Sequence, residues 1–363
     1  MQKKRVLIVG PFPEPITGVS LANKVLFDQL NKDVNYKLKR VNTSFYDFEE
    51  NLGMFSLKKV YFYLKIQCYA YRILFSDIIY ITPGQTFWGV FKYVLFFFLA
   101  KMFNKKLIIH VHGNYIHKQY ELLKGTKKKI FKFLLKQVDK GIVLSDLLRP
   151  NMSLFVGEEN TFVVKNFVED YLFEDFKTSF VEKKDNIKIV FLSNLMEEKG
   201  IFYLLKALKK LEEREIKYQA KIAGQISSEN KDSILKIINE LKHTQYCGIV
   251  KAKEKKGLLE KSNIFILPTF YKMEGQPISI LESMATGNLI LTTHHAGIPD
   301  VFEELKNGFY IDSKSSESIV EKMVYLKNNQ KTIKDISDYN RQYAKQNFTI
   351  NLFVKNIKDI FEV

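Results

Sequence analysis

The sequence predicts an α/β fold of parallel sheets arranged in two successive halves. Short apolar runs of strand length alternate with helix-period segments along the whole chain. The two halves repeat this design without any short-period repeat. At 363 residues the chain is long for one core and comfortable for two domains.

In the first half, Arg5–Val9, Tyr36–Val41, Ile78–Ile81, Lys106–Val111, Gly141–Leu144 and Thr161–Val164 read as strands. In the second half, Ile187–Leu192, Lys217–Ala223, Tyr246–Ile249, Ile264–Leu267, Leu289–Thr292 and Gly308–Ile311 do the same. Between them, Glu169–Asn186 is charged and weakly periodic, which suits a junction. The last segment, Tyr343–Val363, carries Phe348, Leu352, Phe353, Ile357, Ile360 and Phe361, an apolar face for a closing helix.

Composition narrows the function. Apolar residues at 46% are ample for two buried sheets. Cys68 and Cys247 stand far apart, with no Cys/His cluster, which argues against a disulfide framework or structural zinc and fits a reducing cytosol. The apolar stretch after Met1–Arg5 is too short for a signal peptide, so the chain is expected to be cytoplasmic. The formal charge is +16 and uneven: residues 1–180 carry 27 Lys and Arg against 16 Asp and Glu. Lys124, Lys127, Lys128, Lys129, Lys132, Lys136 and Lys140 form a dense patch, which can serve nucleic acid, anionic lipid or an anionic acceptor.

No stretch reads as a membrane span. Phe87–Phe103 is interrupted by Lys92 and Lys101, where a span needs about 20 mostly apolar residues. A buried core helix is expected there. Phe55–Phe75 and Lys127–Lys136 interleave basic with aromatic and aliphatic residues, as an interfacial helix would. Peripheral attachment to the inner membrane face is therefore an expectation.

The chemistry-bearing features fall at strand ends. Gly10-Pro11-Phe12-Pro13-Glu14-Pro15-Ile16-Thr17-Gly18-Val19-Ser20 leads from the first strand into a helix, with Gly18 able to let backbone approach a ligand and Ser20 expected as its cap. It is neither a dinucleotide fingerprint nor a P-loop. His112 ends the strand run Leu107–Val111, with His110 two residues earlier on the same face. In the second half, Glu274-Gly275-Gln276-Pro277-Ile278 follows the strand ending at Pro268, and Glu282 lies eight positions after Glu274. Pro277 suits the first turn of a helix, and backbone N–H groups near Gly275 and Gln276 suit an anion. A phosphate there, with hydroxyls beside two carboxylates, would fit a nucleotide-sugar.

These residues carry a resemblance. Leu267-Pro268-Thr269, Glu274-Gly275-Gln276-Pro277, Glu282-Ser283-Met284-Ala285-Thr286-Gly287, Gly297-Ile298-Pro299-Asp300 and Asn307-Gly308-Phe309 resemble, in order, the C-terminal half-site of the family 4 retaining glycosyltransferases of group 1, of the bacterial polysaccharide-synthesis type. Ser193-Asn194-Leu195-Met196-Glu197-Glu198-Lys199-Gly200 resembles the family's diphosphate-binding Arg–Leu–x3–Lys–Gly element, with Asn194 where Arg is usual. Val164-Lys165-Asn166-Phe167-Val168 resembles its Pro-Asn-Gly-Val segment.

The resemblance implies a GT-B architecture: two facing Rossmann-like domains with mainly parallel sheets and a C-terminal helix returning to the first. On this sequence the first domain is expected over 1–172 with 345–363, a linker over 173–186, and the nucleotide-sugar domain over 187–344. The implied reaction moves a sugar from a nucleotide-diphosphate sugar, a UDP-sugar being the commoner choice, to a hydroxyl of a glycan or lipid-linked glycan. It retains anomeric configuration and uses no metal and no cofactor. The resemblance makes His112, Lys199 and Glu274 catalytic and places Gly18, Asn194, Gly275, Gln276, Pro277, Ile278 and Glu282 at the substrate. Charge builds on the departing diphosphate, so Lys199 answers a chemical need, and Asn194 offers only neutral hydrogen bonds. Glu274 is expected at the donor sugar and Glu282 at the ribose.

A glycosidase pair is the weaker reading, because these carboxylates sit among diphosphate-binding elements. An epimerase on the same fold is the nearest enzymatic alternative. A catalytically silent partner follows from Asn194, and a nucleic-acid-binding module from charge alone, without a recognition motif to support specific binding.

Overall fold

The computed structural model describes residues 3–45, 57–174 and 187–363. It divides into two units: Met1–Asn166, Met273–Gln276 and Asn351–Val363 form the first, Phe167–Lys272 and Pro277–Ile350 the second. The chain changes unit after Asn166, earlier than the expected 172. The expected linker lies, from residue 175 on, outside the described residues.

The first unit holds β1 (Lys4–Gly10), β2 (Tyr36–Asn42), β3 (Ile78–Ile81), β4 (Lys106–Val111), β5 (Lys140–Val143) and β6 (Thr161–Val163) in the order β2-β1-β3-β4-β5-β6. The second holds β7 (Ile187–Leu192), β8 (Tyr218–Ala223), β9 (Thr244–Tyr246), β10 (Ile264–Leu267), β11 (Leu289–Thr292) and β12 (Gly308–Tyr310) in the order β12-β11-β10-β7-β8-β9. Every described ladder within the two sheets is parallel, in line with the mainly parallel sheets expected. The fully buried runs of β3, β10 and β11 follow from this, since helices cover both faces of a parallel sheet.

All the expected strands form, and only β9 moves appreciably. It ends at Tyr246 because Gly248 turns the chain at φ +70°, a left-handed conformation no strand continues through. Each strand order reverses direction at one place, between β1 and β3 in the first unit and between β7 and β10 in the second. Ligands of open α/β sheets bind beyond the strand C-termini at such switch points.

The closing helix spans Ile350–Glu362, and the chain from Asn351 to Val363 belongs to the first unit. Residues 345–347, expected in the returning segment, instead end the helix Gln330–Asn347 of the second unit. Phe353, Ile357, Ile360 and Phe361 are buried, and the Phe361 ring meets Tyr80 edge-on at 6.1 Å. Lys106 and Lys140 donate to the carbonyls of Phe361 and Ile360 at 3.2 and 2.9 Å, cations answering the helix's negative end. Lys140 is therefore buried and drops out of the expected basic patch.

Phe87–Phe103 forms two helices, Phe87–Phe91 and Val94–Met102. Phe96, Phe97 and Ala100 are buried as expected for a core segment, but Trp88, Phe98 and Met102 are exposed. Of Phe55–Phe75, residues 55–56 lie outside the described residues, and the rest is helical. Among the described residues no helix is long and apolar enough to cross a membrane.

Candidate functional site

In the second unit the site residues gather at the switch point. After β7 the chain makes a short 3-10 turn, Glu197–Lys199, which is bonded to the end of β10. Phe270 N donates to Glu198 O at 2.7 Å, and Thr269 Oγ1 donates to the same carbonyl at 3.3 Å. Gly200 makes the closeness possible. Its φ is +83°, and a Cβ there would lie 2.3 Å from Pro268 O. Lys199 Nζ stands 5.0 Å from the centroid of the Tyr271 ring, so its charge is held beside the β10 end. Asn194 is exposed on the segment joining β7 to this turn.

The helix after β10 spans Ile278–Ala285. Pro277 is its cap in an extended conformation (φ −62°, ψ 117°) rather than a first-turn residue, one position off the expectation. Ile278 opens the helix, and Ile280, Leu281, Met284 and Ala285 enter the core of the second unit. Burial of this stripe rotates Glu282 out of solvent, to 4% exposure.

Glu282 has a partner the sequence did not reveal. Lys255, on the helix Ala252–Glu260, places Nζ 2.5 Å from Glu282 Oε1 and 3.3 Å from Glu169 Oε2. The Tyr171 ring lies 5.8 Å from the same nitrogen. Burial pushes the Glu282 carboxyl up, and Lys255 pulls it back. Burial alone would lower Lys255, yet Glu282, Tyr171 and Glu169 together raise it, so it stays charged. Burial pushes the Tyr171 hydroxyl up to about 12.

In the first unit, Gly18 is the exposed first residue of the helix Gly18–Asn31. Thr17, not Ser20, is the cap. Its hydroxyl accepts from Ser20 N at 3.1 Å, and Ser20 Oγ accepts from Thr17 N at 2.8 Å, a reciprocal capping box. The Gly18 loop leaves the β1 end beside β3, where Asn23 Nδ2 donates to Pro11 O at 2.8 Å and Thr82 Oγ1 at 2.7 Å.

His110 and His112 pack with ring centroids 4.0 Å apart, as their shared strand face implied. Tyr80 Oη and His110 Nδ1 lie 2.5 Å apart. The Nε2 atoms of both histidines are buried without a hydrogen-bond partner among the described residues. Burial lowers His112 to about 3, and burial with the adjacent His112 lowers His110 well below its usual value, so both are neutral at pH 7.

Glu274 reaches this strand end through its neighbours. Met273 O accepts from Gln85 Nε2 at 3.1 Å, and a Cβ on Gly275 would lie 2.4 Å from His112 O. Glu274 is itself buried. Gln276 has a bracing role its motif did not show: Oε1 accepts from Asn166 N at 2.7 Å, and Nε2 donates to Leu144 O at 3.0 Å. Its side chain anchors the segment, and Asn166 completes the bracket by donating from Nδ2 to Gln276 O at 2.7 Å.

The structure thus assembles two sets, His112 with Glu274 and Gly275 in the first unit, and Lys199, Asn194, Pro277, Ile278 and Glu282 in the second. Asn307 of the downstream motif is structural. Buried with Asn340, it receives a bond from Glu303 N at 2.8 Å and donates to Asn340 Oδ1 at 2.7 Å. Lys255 went unseen because it lies among Lys251, Lys253 and Lys256, a run that reads as a solvated face.

Residues 173–343 match the family of glycosyl transferases group 1. WcaL of Escherichia coli, a glycosyltransferase assigned provisionally to colanic acid biosynthesis, is 25% identical over 142 residues. That match takes in 38% of this chain and 35% of WcaL, so it spans only about a third of the relative's length. A glycosyltransferase from Rickettsia africae superimposes with a TM-score of 0.75 at 19% identity, covering 100% of this chain and 99% of the other. HepE of Anabaena, solved with UDP-glucose, has a TM-score of 0.73 at 15% identity, with 99% of each chain covered. Residues 173–343 thus match the group 1 glycosyl transferases, and the chain as a whole shares the GT-B fold of these solved glycosyltransferases.

Proposed function

We propose that the protein transfers a sugar, with retention of configuration, from a nucleotide-diphosphate sugar to a hydroxyl of a glycan or lipid-linked glycan in cell-envelope polysaccharide synthesis. One observation carries the reading: the turn bearing Lys199 is bonded to the end of β10 at the switch point of the second sheet. A fixed cation at that place answers the charge that grows on a departing diphosphate. Asn194 adds neutral hydrogen bonds to it, and Gly18 admits ligand at the first unit's own switch point.

In this reading Glu282 accepts from the ribose hydroxyls and Glu274 from hydroxyls of the donor sugar. Neutral His112 donates near the reacting carbon. The acceptor hydroxyl attacks on the face from which the diphosphate leaves, and neither glutamate acts as a general acid. No metal or cofactor is assigned a role. Uridine is the proposed base, supported by the UDP-glucose held in HepE. The polysaccharide role is supported by the pathway for which WcaL is named.

The acceptor side is proposed to rest on an anionic inner-membrane surface. On the helix Gly125–Leu135, Phe133 is 62% exposed among Lys127, Lys129 and Lys132, and Lys127 Nζ lies 5.8 Å from the exposed Trp88 ring.

A panel of nucleotide-sugars, incubated with the protein and a membrane-lipid extract, tests the reading by acceptor-dependent nucleotide release and product mass. Release from one donor class with a sugar-extended lipid is the expected result. Isomerised donor without acceptor product would make it an epimerase. No release with any donor would end the enzymatic reading. Flotation with anionic vesicles at low salt tests the surface, and no binding there removes it.

A further inference from the structure

We propose that Lys255 is a positioning residue for nucleotide binding: it holds the buried Glu282 carboxylate as an anion, with Oε1 engaged and Oε2 left to accept from ribose hydroxyls. The inference rests on the proposed ribose role of Glu282. Its geometry is a salt bridge of 2.5 Å between side chains that are 13% and 5% exposed. Among the described residues no other bond reaches the Glu282 side chain.

A carboxylate removed from water takes up a proton unless a cation stands beside it. Once protonated, it donates with one oxygen and accepts less well with the other, so it loses its hold on two hydroxyls. The charged and titratable groups around this carboxylate come from two segments. Lys255 is on the helix Ala252–Glu260, and Glu169 and Tyr171 are at the 3-10 turn Asp170–Leu172. Glu169 repels the Glu282 charge, so Lys255 is the group that opposes both burial and repulsion. Glu169 in turn anchors the lysine at 3.3 Å, which keeps Nζ from turning outward.

The sign of the pH effect follows. With Lys255 present, the ion pair opposes protonation of Glu282, so the carboxyl adds no marked pH dependence of its own to the affinity for the nucleoside diphosphate. Without it, burial and the Glu169 charge push the midpoint of the carboxyl up unopposed. Affinity then falls as pH falls, by up to about tenfold per unit below that midpoint.

Calorimetric titration of the full chain with the nucleoside diphosphate of the accepted donor, UDP or GDP, between pH 6.5 and 9 tests this. Lys255→Met should bind at least about tenfold more weakly at pH 6.5 and recover as pH rises. Lys255→Arg should restore a flat profile, and Glu282→Gln should be weak at every pH with no added slope. If Lys255→Met fails to fold, Lys255→Gln, which keeps a donor beside the carboxylate, replaces it in the series. A flat profile at native affinity for the lysine variant, with Glu282→Gln weak, overturns the positioning role and leaves the ribose reading standing. Native affinity in Glu282→Gln overturns the ribose reading and the inference with it.

Discussion

Gly275 lies so near His112 that a Cβ on it would stand 2.4 Å from the His112 carbonyl oxygen and 2.9 Å from Leu144 Cδ1. The glycine thus seats the segment bearing Glu274 against the end of β4. Gly275→Ala must push backbone from backbone, and about 1–3 kcal/mol of stability should be lost. The displaced glutamate should also lower kcat by tenfold or more. A thermal melt and steady-state kinetics on the purified variant check both, and unchanged values would show that the contact relaxes freely.

Gly200 combines a left-handed φ of +83° with a 2.3 Å approach to Pro268 O, so neither the conformation nor the space admits a side chain. Gly200→Ala should cost about 2–4 kcal/mol and detach the turn that carries Lys199. Gly257, on the helix Ala252–Glu260, has no atom within 4 Å of its hypothetical Cβ. Gly257→Ala should therefore be neutral or stabilising by up to about 1 kcal/mol. Denaturant titrations of the pair decide the matter, and equal effects would refute the distinction.

In the roles proposed for them, Lys199 and Glu282 should separate in kinetics. Lys199→Ala removes a charge needed most as the diphosphate departs, so kcat should fall by about 100-fold, near 2.7 kcal/mol. Glu282→Ala removes a contact made equally before and during reaction, so KM for the donor should rise with kcat little changed. Initial rates over a donor series make the comparison. The opposite pattern would exchange the two roles.

The paired histidines predict acid sensitivity. Their folded pKa values lie below the ordinary value of 6.5, with His112 near 3. Below pH 6.5 the unfolded chain therefore binds protons that the folded chain refuses. Stability is unaffected above that pH and is lost as pH falls through the window toward 3, at up to about 1.4 kcal/mol per unit for each group. Replacing His112 by Asn should flatten the dependence of the melting temperature between pH 6.5 and 4.5. An unchanged slope would mean that other groups set the acid limit.

Fold and site differ in how far they were legible in the sequence. β3, β4, β7, β10 and β11 appear at the residues expected, because a strand buried on both faces must be a continuous apolar run. Helix and strand ends were read less well. Pro277 caps where it was expected to begin, and Thr17 caps where Ser20 was expected, since a cap depends on backbone geometry that neighbouring polar residues equally permit.

By itself, the sequence determined the alternating α/β design, the parallel sheets and the order of the motifs, because burial periodicity and turn residues act locally. Only the tertiary structure decided which polar residues meet. It paired Lys255 with Glu282, gave Gln276 to Asn166 and Leu144, and buried Lys140 under the last helix. These partners are separated by 27 to 220 residues in the chain. A buried charge or amide must find its counterpart in space, and no local pattern of residues records where that counterpart will be.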